Sequence, residues 1–328
     1  MQDQHMTISQ KILAGYETLE LENSAGNRMI IIPELGGTVQ EIQLAGPDGR
    51  LHQLLRSDSE NELTANLGFR GRFMFPFCGR VRDGSYSWHN QTLQLPRNSK
   101  GNALHGFIHR QAMQRLAADD TTLAGAIPGA DKTSTTCSLY FEQAKEMEPG
   151  YPFDLALRLD FWLQDSAACI KMTAGNIGTA SAPLSLGWHP YFRLDAPYAD
   201  WRLQNSATDY ILMGEDLFPC GAAATVADTD YDFRAKPLLG KRFLDAPLCG
   251  PGANHTILSA EAADYRISVE SEPSLFGYTQ LYTPPLRDSI AIEPVSAVSG
   301  AFSGEGPGLL ILEPGQLVSG IINVRLLS

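Results

Sequence analysis

A histidine stands between an apolar run and a pair of aromatics in Gly187-Trp188-His189-Pro190-Tyr191-Phe192. Imidazole titrates near neutrality, so one held in place can give or take a proton. A carboxylate of matching promise lies in Ser289-Ile290-Ala291-Ile292-Glu293-Pro294. There Glu293 is expected to end an apolar strand, partly desolvated and therefore more basic than a free glutamate. Each of the two is followed by proline, so both can reach one cleft rim as an acid–base pair. Each also has a plainer reading, a buried histidine bonded to a carbonyl and a strand-end glutamate in water.

Further candidates flank these two. Asn102-Ala103-Leu104-His105-Gly106-Phe107-Ile108-His109-Arg110 carries two histidines four apart. On a helix they could bind a metal together, but Gly101 and Gly106 argue against a helix, and no third ligand has zinc spacing. The glycine after His105 points to a close approach of backbone or ligand. Phe75-Pro76-Phe77-Cys78-Gly79-Arg80-Val81-Arg82-Asp83-Gly84 offers arginine forks to hydroxyls or carboxylates; Arg82 reads as a surface residue beside a turn. The glycines of 300–308 suggest a phosphate loop only superficially, since no helix follows; a mobile rim loop fits better.

Positioning these groups falls to strands. Ala182, Leu184 and Leu186 alternate toward His189, and Leu155, Leu157, Leu159, Phe161 and Leu163 share one face of the clearest strand. Further strands are expected at 137–142, 169–174, 256–258, 265–270, 278–282, 289–293, 309–312 and 316–326. Ser85–Trp88 and Thr92–Leu95 form a hairpin, 60–66 a turn or two of helix, Gly46–Gly49 a turn, and Asp119–Thr136 a long surface loop. Long amphipathic helices are nearly absent, and 30 Gly and 20 Pro punctuate the short strands. The fold class is therefore all-β, a large antiparallel β-sandwich. No linker or repeat divides the 328 residues, so one domain is expected over 1–328, with a loose tail through about Lys11.

Composition narrows the partners. A formal net charge of −12 with no Lys/Arg run argues against nucleic acid. No run reaches membrane-spanning length, no secretory signal opens the chain, and five scattered cysteines without a CxxC pair fit a reducing, cytoplasmic setting.

Four segments in this order resemble the aldose 1-epimerase (galactose mutarotase-like) family, in its shorter, divergent branch: Gly79–Tyr86, Leu104–Phe107, His189–Phe192 and Ile292–Pro294. Glu313-Pro314-Gly315-Gln316 resembles the family's final turn. The resemblance spans about Gly26 to the C-terminus. It implies a supersandwich with an open sugar cleft, His189 as the general acid for the ring oxygen and Glu293 as the general base for the anomeric hydroxyl. It implies that His105 and Arg80 hold and polarise the sugar, and it places the family's binding aspartate at Asp245. It also implies a small-molecule sugar as partner and a monomer or homodimer. The chain departs from the family at Phe107, where the family often has a second glycine, and at Arg193, where it often has asparagine; both departures bear on sugar specificity more than on the chemistry. Anomer exchange by an imidazolium and a carboxylate on opposite sides of the sugar requires no metal and no organic cofactor. A non-catalytic sugar-binding sandwich, an epimerase of a hexose 6-phosphate, and a glycoside hydrolase, which needs two flanking carboxylates, are the alternatives.

Overall fold

The computed structural model describes residues 6–46, 49–117 and 137–328. Alternating apolar side chains close two large antiparallel sheets over a shared core. In one, the strands run in the order 114–115, Cys137–Gln143, Leu155–Gln164, Ala167–Asn176, Leu317–Leu327, Arg266–Ser271, His255–Ala260 and Trp201–Asn205. The other runs Pro219–Thr225, Asp209–Met213, Asp245–Cys249, Tyr278–Tyr282, Ile290–Val295, Gly187–His189 and Arg72–Met74, with Tyr191–Phe192 also paired to Ile290–Val295. A five-stranded meander from Thr7–Leu13 to Leu51–Gln53 packs into the same core.

The five alternating residues Leu155 to Leu163 are all buried, as their spacing predicts. Phe161 meets Phe73 of the other sheet with ring centroids 6.0 Å apart, and Phe73 stacks on Trp188 at 6.2 Å. A side chain of this size contributes about 1.5–3 kcal/mol when fully buried. Because Trp188 points into this core, pleating turns the adjacent His189 to the opposite face of the sheet.

Several expectations shift. Residues from Thr7 onward do not form a loose tail but a strand in full register with Tyr16–Glu22. The helix is Glu60–Ala65, started by a capping box between Ser59 and Glu62. The hairpin pairs Ser85–Trp88 with Gln91–Gln94. Gly49 N donates to Gly46 O at 2.9 Å across the expected turn, whose two central residues, like Asp119–Thr136, lie outside the described residues. Glu293 does not end its strand: Ile290–Val295 runs on through Pro294. The reason is local. Gly187 pairs with Val295, and Tyr191–Phe192 pairs with Ala291 and Ile290, so Pro294 falls in the gap between the two short partners, where no ladder donor is required.

Candidate active site

That gap positions the site. Register counted from Gly187↔Val295 and from Tyr191↔Ala291 brings His189 opposite Glu293 from either side. On the far side Glu293 pairs with Gln280. His189, Glu293 and Gln280 thus form one row across three strands, on the face away from Trp188. His189 Nε2 lies 3.5 Å from Glu293 Oε1, and both residues are buried, at 6% and 3% exposure. Gln280 Nε2 donates to Asp245 Oδ1 at 2.9 Å, which attaches Asp245, the first residue of its strand, to the end of the row.

Rings clamp the histidine. Tyr191 stacks on it at 5.1 Å with planes 7° apart, Phe69 lies over it at 6.4 Å, and His105 approaches edge-on at 5.3 Å. Phe69 also meets His105 at 4.7 Å and His109 at 5.0 Å. Phe69 and His105 both hold φ of +57°, a conformation that costs on the order of 1–3 kcal/mol for such residues. The glycine after His105 is required: a Cβ on Gly106 would lie 2.1 Å from Phe75 O. Among the described residues no group of three or more His, Cys, Asp or Glu is placed to hold a metal ion, so His105 and His109 belong to no such group. Arg80 is fixed by its backbone, its N–H donating to Ser299 Oγ at 3.2 Å and its carbonyl accepting from Gly300 N at 2.8 Å. Its guanidinium has no hydrogen bond or ion pair to another described residue. Arg82 lies on the surface, as expected, and there it bonds Glu305 and Asp216 and lies 4.0 Å over the Phe218 ring.

Burial sets the charge states. It lifts the Glu293 carboxyl well above the usual range; the nearby Asp245 adds to the rise and Arg80 opposes it. The His189 imidazole is pushed down to about 3, by burial first, with Arg80 and Arg70 adding to the effect. Burial likewise lowers His105 well below its ordinary value, helped by His189 and Arg80, and lowers His109 to about 3. Asp245 is raised by burial against the pull of Arg80. In the free chain burial therefore favours neutral His189 beside a protonated Glu293. This pair carries the same number of protons as imidazolium with carboxylate, so one proton moved across a 3.5 Å contact converts the two.

Comparison with known proteins gives the family. A model of the aldose 1-epimerase family matches residues 17–325. The chain belongs to the aldose 1-epimerase family. It is 23% identical to the aldose 1-epimerase of Escherichia coli over 236 residues, which cover 70% of the chain and 63% of that relative, less than two thirds of its length. The Escherichia coli protein YihR is 25% identical over 305 residues, 89% of this chain and 88% of YihR. In fold, the chain superposes on a galactose mutarotase-like protein from Clostridium acetobutylicum with a TM-score of 0.82 at 16% identity, covering 98% of both. It superposes on galactose 1-epimerase from Lactobacillus acidophilus at 0.76 and 20%, covering 99% of both.

The five residues that the family resemblance singled out, His189, Glu293, His105, Arg80 and Asp245, lie together in this epimerase-family chain. Sequence reasoning missed Phe69, Arg70, Gln280 and Tyr282, whose ring meets Tyr191 edge-on at 6.3 Å. The last two carried a signal, because Tyr278, Gln280 and Tyr282 alternate with buried Thr279 and Leu281 and so share the outward face. Phe69 carried none; its place depends on a left-handed turn.

Proposed function

We propose that this protein interconverts the α and β anomers of a free aldose by acid–base ring opening. The observation that carries the reading is the buried 3.5 Å contact of His189 Nε2 with Glu293 Oε1. The ring and anomeric oxygens of a hemiacetal are bonded to one carbon, so two groups placed side by side can each address one of them. His189 gives a proton to the ring oxygen as its bond to C1 breaks. Glu293 takes the anomeric hydroxyl proton as that oxygen becomes the carbonyl. After rotation about C1–C2, Glu293 returns its proton to the carbonyl oxygen, the C5 hydroxyl attacks C1 and His189 recovers its proton. Opening consumes the imidazolium–carboxylate form and closure consumes the neutral form, which the free site favours. Each partner is worth about 10²–10⁴-fold. Arg80 and His105 hold and polarise the sugar, and Asp245 accepts from its hydroxyls. The setting is cytoplasmic, in keeping with five free thiols.

The test is NMR anomer exchange on a panel of free aldoses and their 6-phosphates. Acceleration with at least one free aldose is expected. Acceleration only with phosphates would replace the substrate, and saturable binding with no acceleration would leave a sugar-binding module.

A further inference from the structure

The other large sheet carries a second row. Arg202 pairs with Ser259, and Ser259 with Arg266, in three adjacent strands. Their neighbours Leu203, Leu258 and Ile267 are buried in the core, so the row lies on the sheet's outer face, away from His189 and Glu293. A cleft of about 350 Å³ opens over it, with Lys236 also in its wall. Ser259 is only 3% exposed, yet its hydroxyl has no hydrogen-bond partner among the described residues. A buried hydroxyl left unpaired destabilises the fold, because it has lost water without gaining a partner. Arg202 and Lys236 form no ion pair with a described residue; Arg266 Nη2 donates to Ser328 O at 2.5 Å. Two carboxylate side chains line the same cleft, and Ser328, whose O accepts from Arg266, is in its wall as well. Asp264 is held by Arg50 at 2.6 Å, and Glu261 is exposed. Three cations around an unsatisfied hydroxyl stand out in a chain of net charge −12.

We propose that this cleft is a second ligand site, which takes the phosphate group of a small phosphate monoester. Arginine forks match phosphate oxygens two at a time, and a serine hydroxyl can donate to a third. The volume exceeds the roughly 30 Å³ share of a water molecule about tenfold, which leaves space for the organic part of the ester beside the phosphate. Nothing in this proposal depends on the epimerase reading.

The test is calorimetric titration of the whole protein with glycerol 3-phosphate and with inorganic phosphate, at ionic strength fixed by sodium chloride. Saturable binding is expected, tighter for the ester. Arg202→Gln and Arg266→Gln should each weaken it tenfold or more, Ser259→Ala several-fold, and Arg80→Ala not at all. Glu261→Gln, at an exposed position that should not disturb folding, should tighten it a few-fold. No saturable binding of either probe overturns the proposal. So does binding that survives Arg202→Gln or is lost in Arg80→Ala, and tighter binding of the free ion overturns the ester assignment.

Discussion

Glu62 and Glu293 both lie close to arginine, and their surroundings drive them in opposite directions. Glu62 receives Arg56 Nη1 and Nη2 at 3.0 Å each and the Ser59 N–H at 2.9 Å. The hydrogen bonds from Arg56, then from Ser59, hold its carboxyl down at about 2. Glu293 instead faces a neutral imidazole in a buried row and is raised. Arg70 connects the regions. It bonds Asp58 at 2.7 Å and Glu62 at 3.4 Å, and its guanidinium lies 5.5 Å over Tyr191, the ring stacked on His189. Depth matters as well as pairing, since burial raises Asp58 despite Arg70. One cluster satisfies its charges and so stabilises the fold. The other keeps its ionisable groups underpaired, at a cost in stability, and thereby leaves their protons available.

The largest expected effect follows. Glu293→Gln keeps the shape and removes the proposed base. Anomer exchange, followed by NMR, should fall about 10²-fold or more, with sugar affinity within a few-fold. His189→Asn should do likewise, and the double mutant should be little worse than either single. Stability should move the other way. A raised carboxyl contributes stability that is present below its unfolded value of 4.5 and lost as pH rises through the folded value. Glu293→Gln should therefore melt a few degrees above wild type at neutral pH, and the gain should shrink toward pH 4. A folded variant that keeps near wild-type turnover would remove the catalytic reading.

The pH profile sharpens the same contrast. The proposed exchange needs one proton on the His189–Glu293 pair. A second proton goes on near the depressed imidazole value of about 3, and the last leaves at the raised carboxyl value. The acid limb then belongs to His189 and the basic limb to Glu293, the reverse of the assignment that ordinary pKa values suggest. A rate that already falls below about pH 6 would place the imidazole near its ordinary value.

Arg80→Ala comes next. Its guanidinium has no described partner to lose, so melting should change little. Sugar affinity should drop about tenfold to a hundredfold, the worth of charged hydrogen bonds at about 1.5–3 kcal/mol. Loss of fold in this variant would mean that Arg80 is structural.

How far the sequence reaches is clearest at the prolines. Alternation at Leu155–Leu163 and Tyr278–Tyr282 located strands well, because one face is buried throughout. Asp245-Ala246-Pro247-Leu248-Cys249 escaped, because proline argues against a paired strand. In the structure the ladder to Asp209–Met213 stops at Leu248, which leaves Pro247 no donor to supply. The same effect hid the continuation of the Glu293 strand. Pro219–Thr225, with its run of alanines, has little strand propensity of its own. At the site, His189 and Glu293 were visible as a polar residue within an apolar run. Their direct cross-strand pairing was not, because register is a property of the fold.

Glu62→Gln should show the opposite signature to Glu293→Gln. Its depressed carboxyl contributes stability that is present above 4.5 and lost as pH falls through about 2. The variant should lose about 1 kcal/mol, a modest figure because the pair is partly solvated, and keep turnover within a few-fold. A large loss of turnover with unchanged melting would show that the ion cluster acts on His189 through Arg70.

The smallest effect is expected at Arg82, two residues from Arg80. Its ion pair with Glu305 at 2.8 Å joins the 82–84 turn to the 300–308 loop, and its pair with Asp216 at 2.9 Å joins it to the 214–218 turn. Its side chain is 38% exposed, so screening leaves these pairs weak, with about 0.5–1 kcal/mol from the Phe218 ring. Arg80 depends on the same loop, but through the backbone bonds at Ser299 and Gly300, which Arg82→Ala leaves in place. The variant should melt a few degrees lower, and sugar affinity should stay within about threefold. Wild type in 0.5 M salt should show part of the same loss, since exposed pairs are screened and the backbone bonds are not. If Arg82→Ala cost as much affinity as Arg80→Ala, the loop rather than the guanidinium of Arg80 would be what holds the sugar.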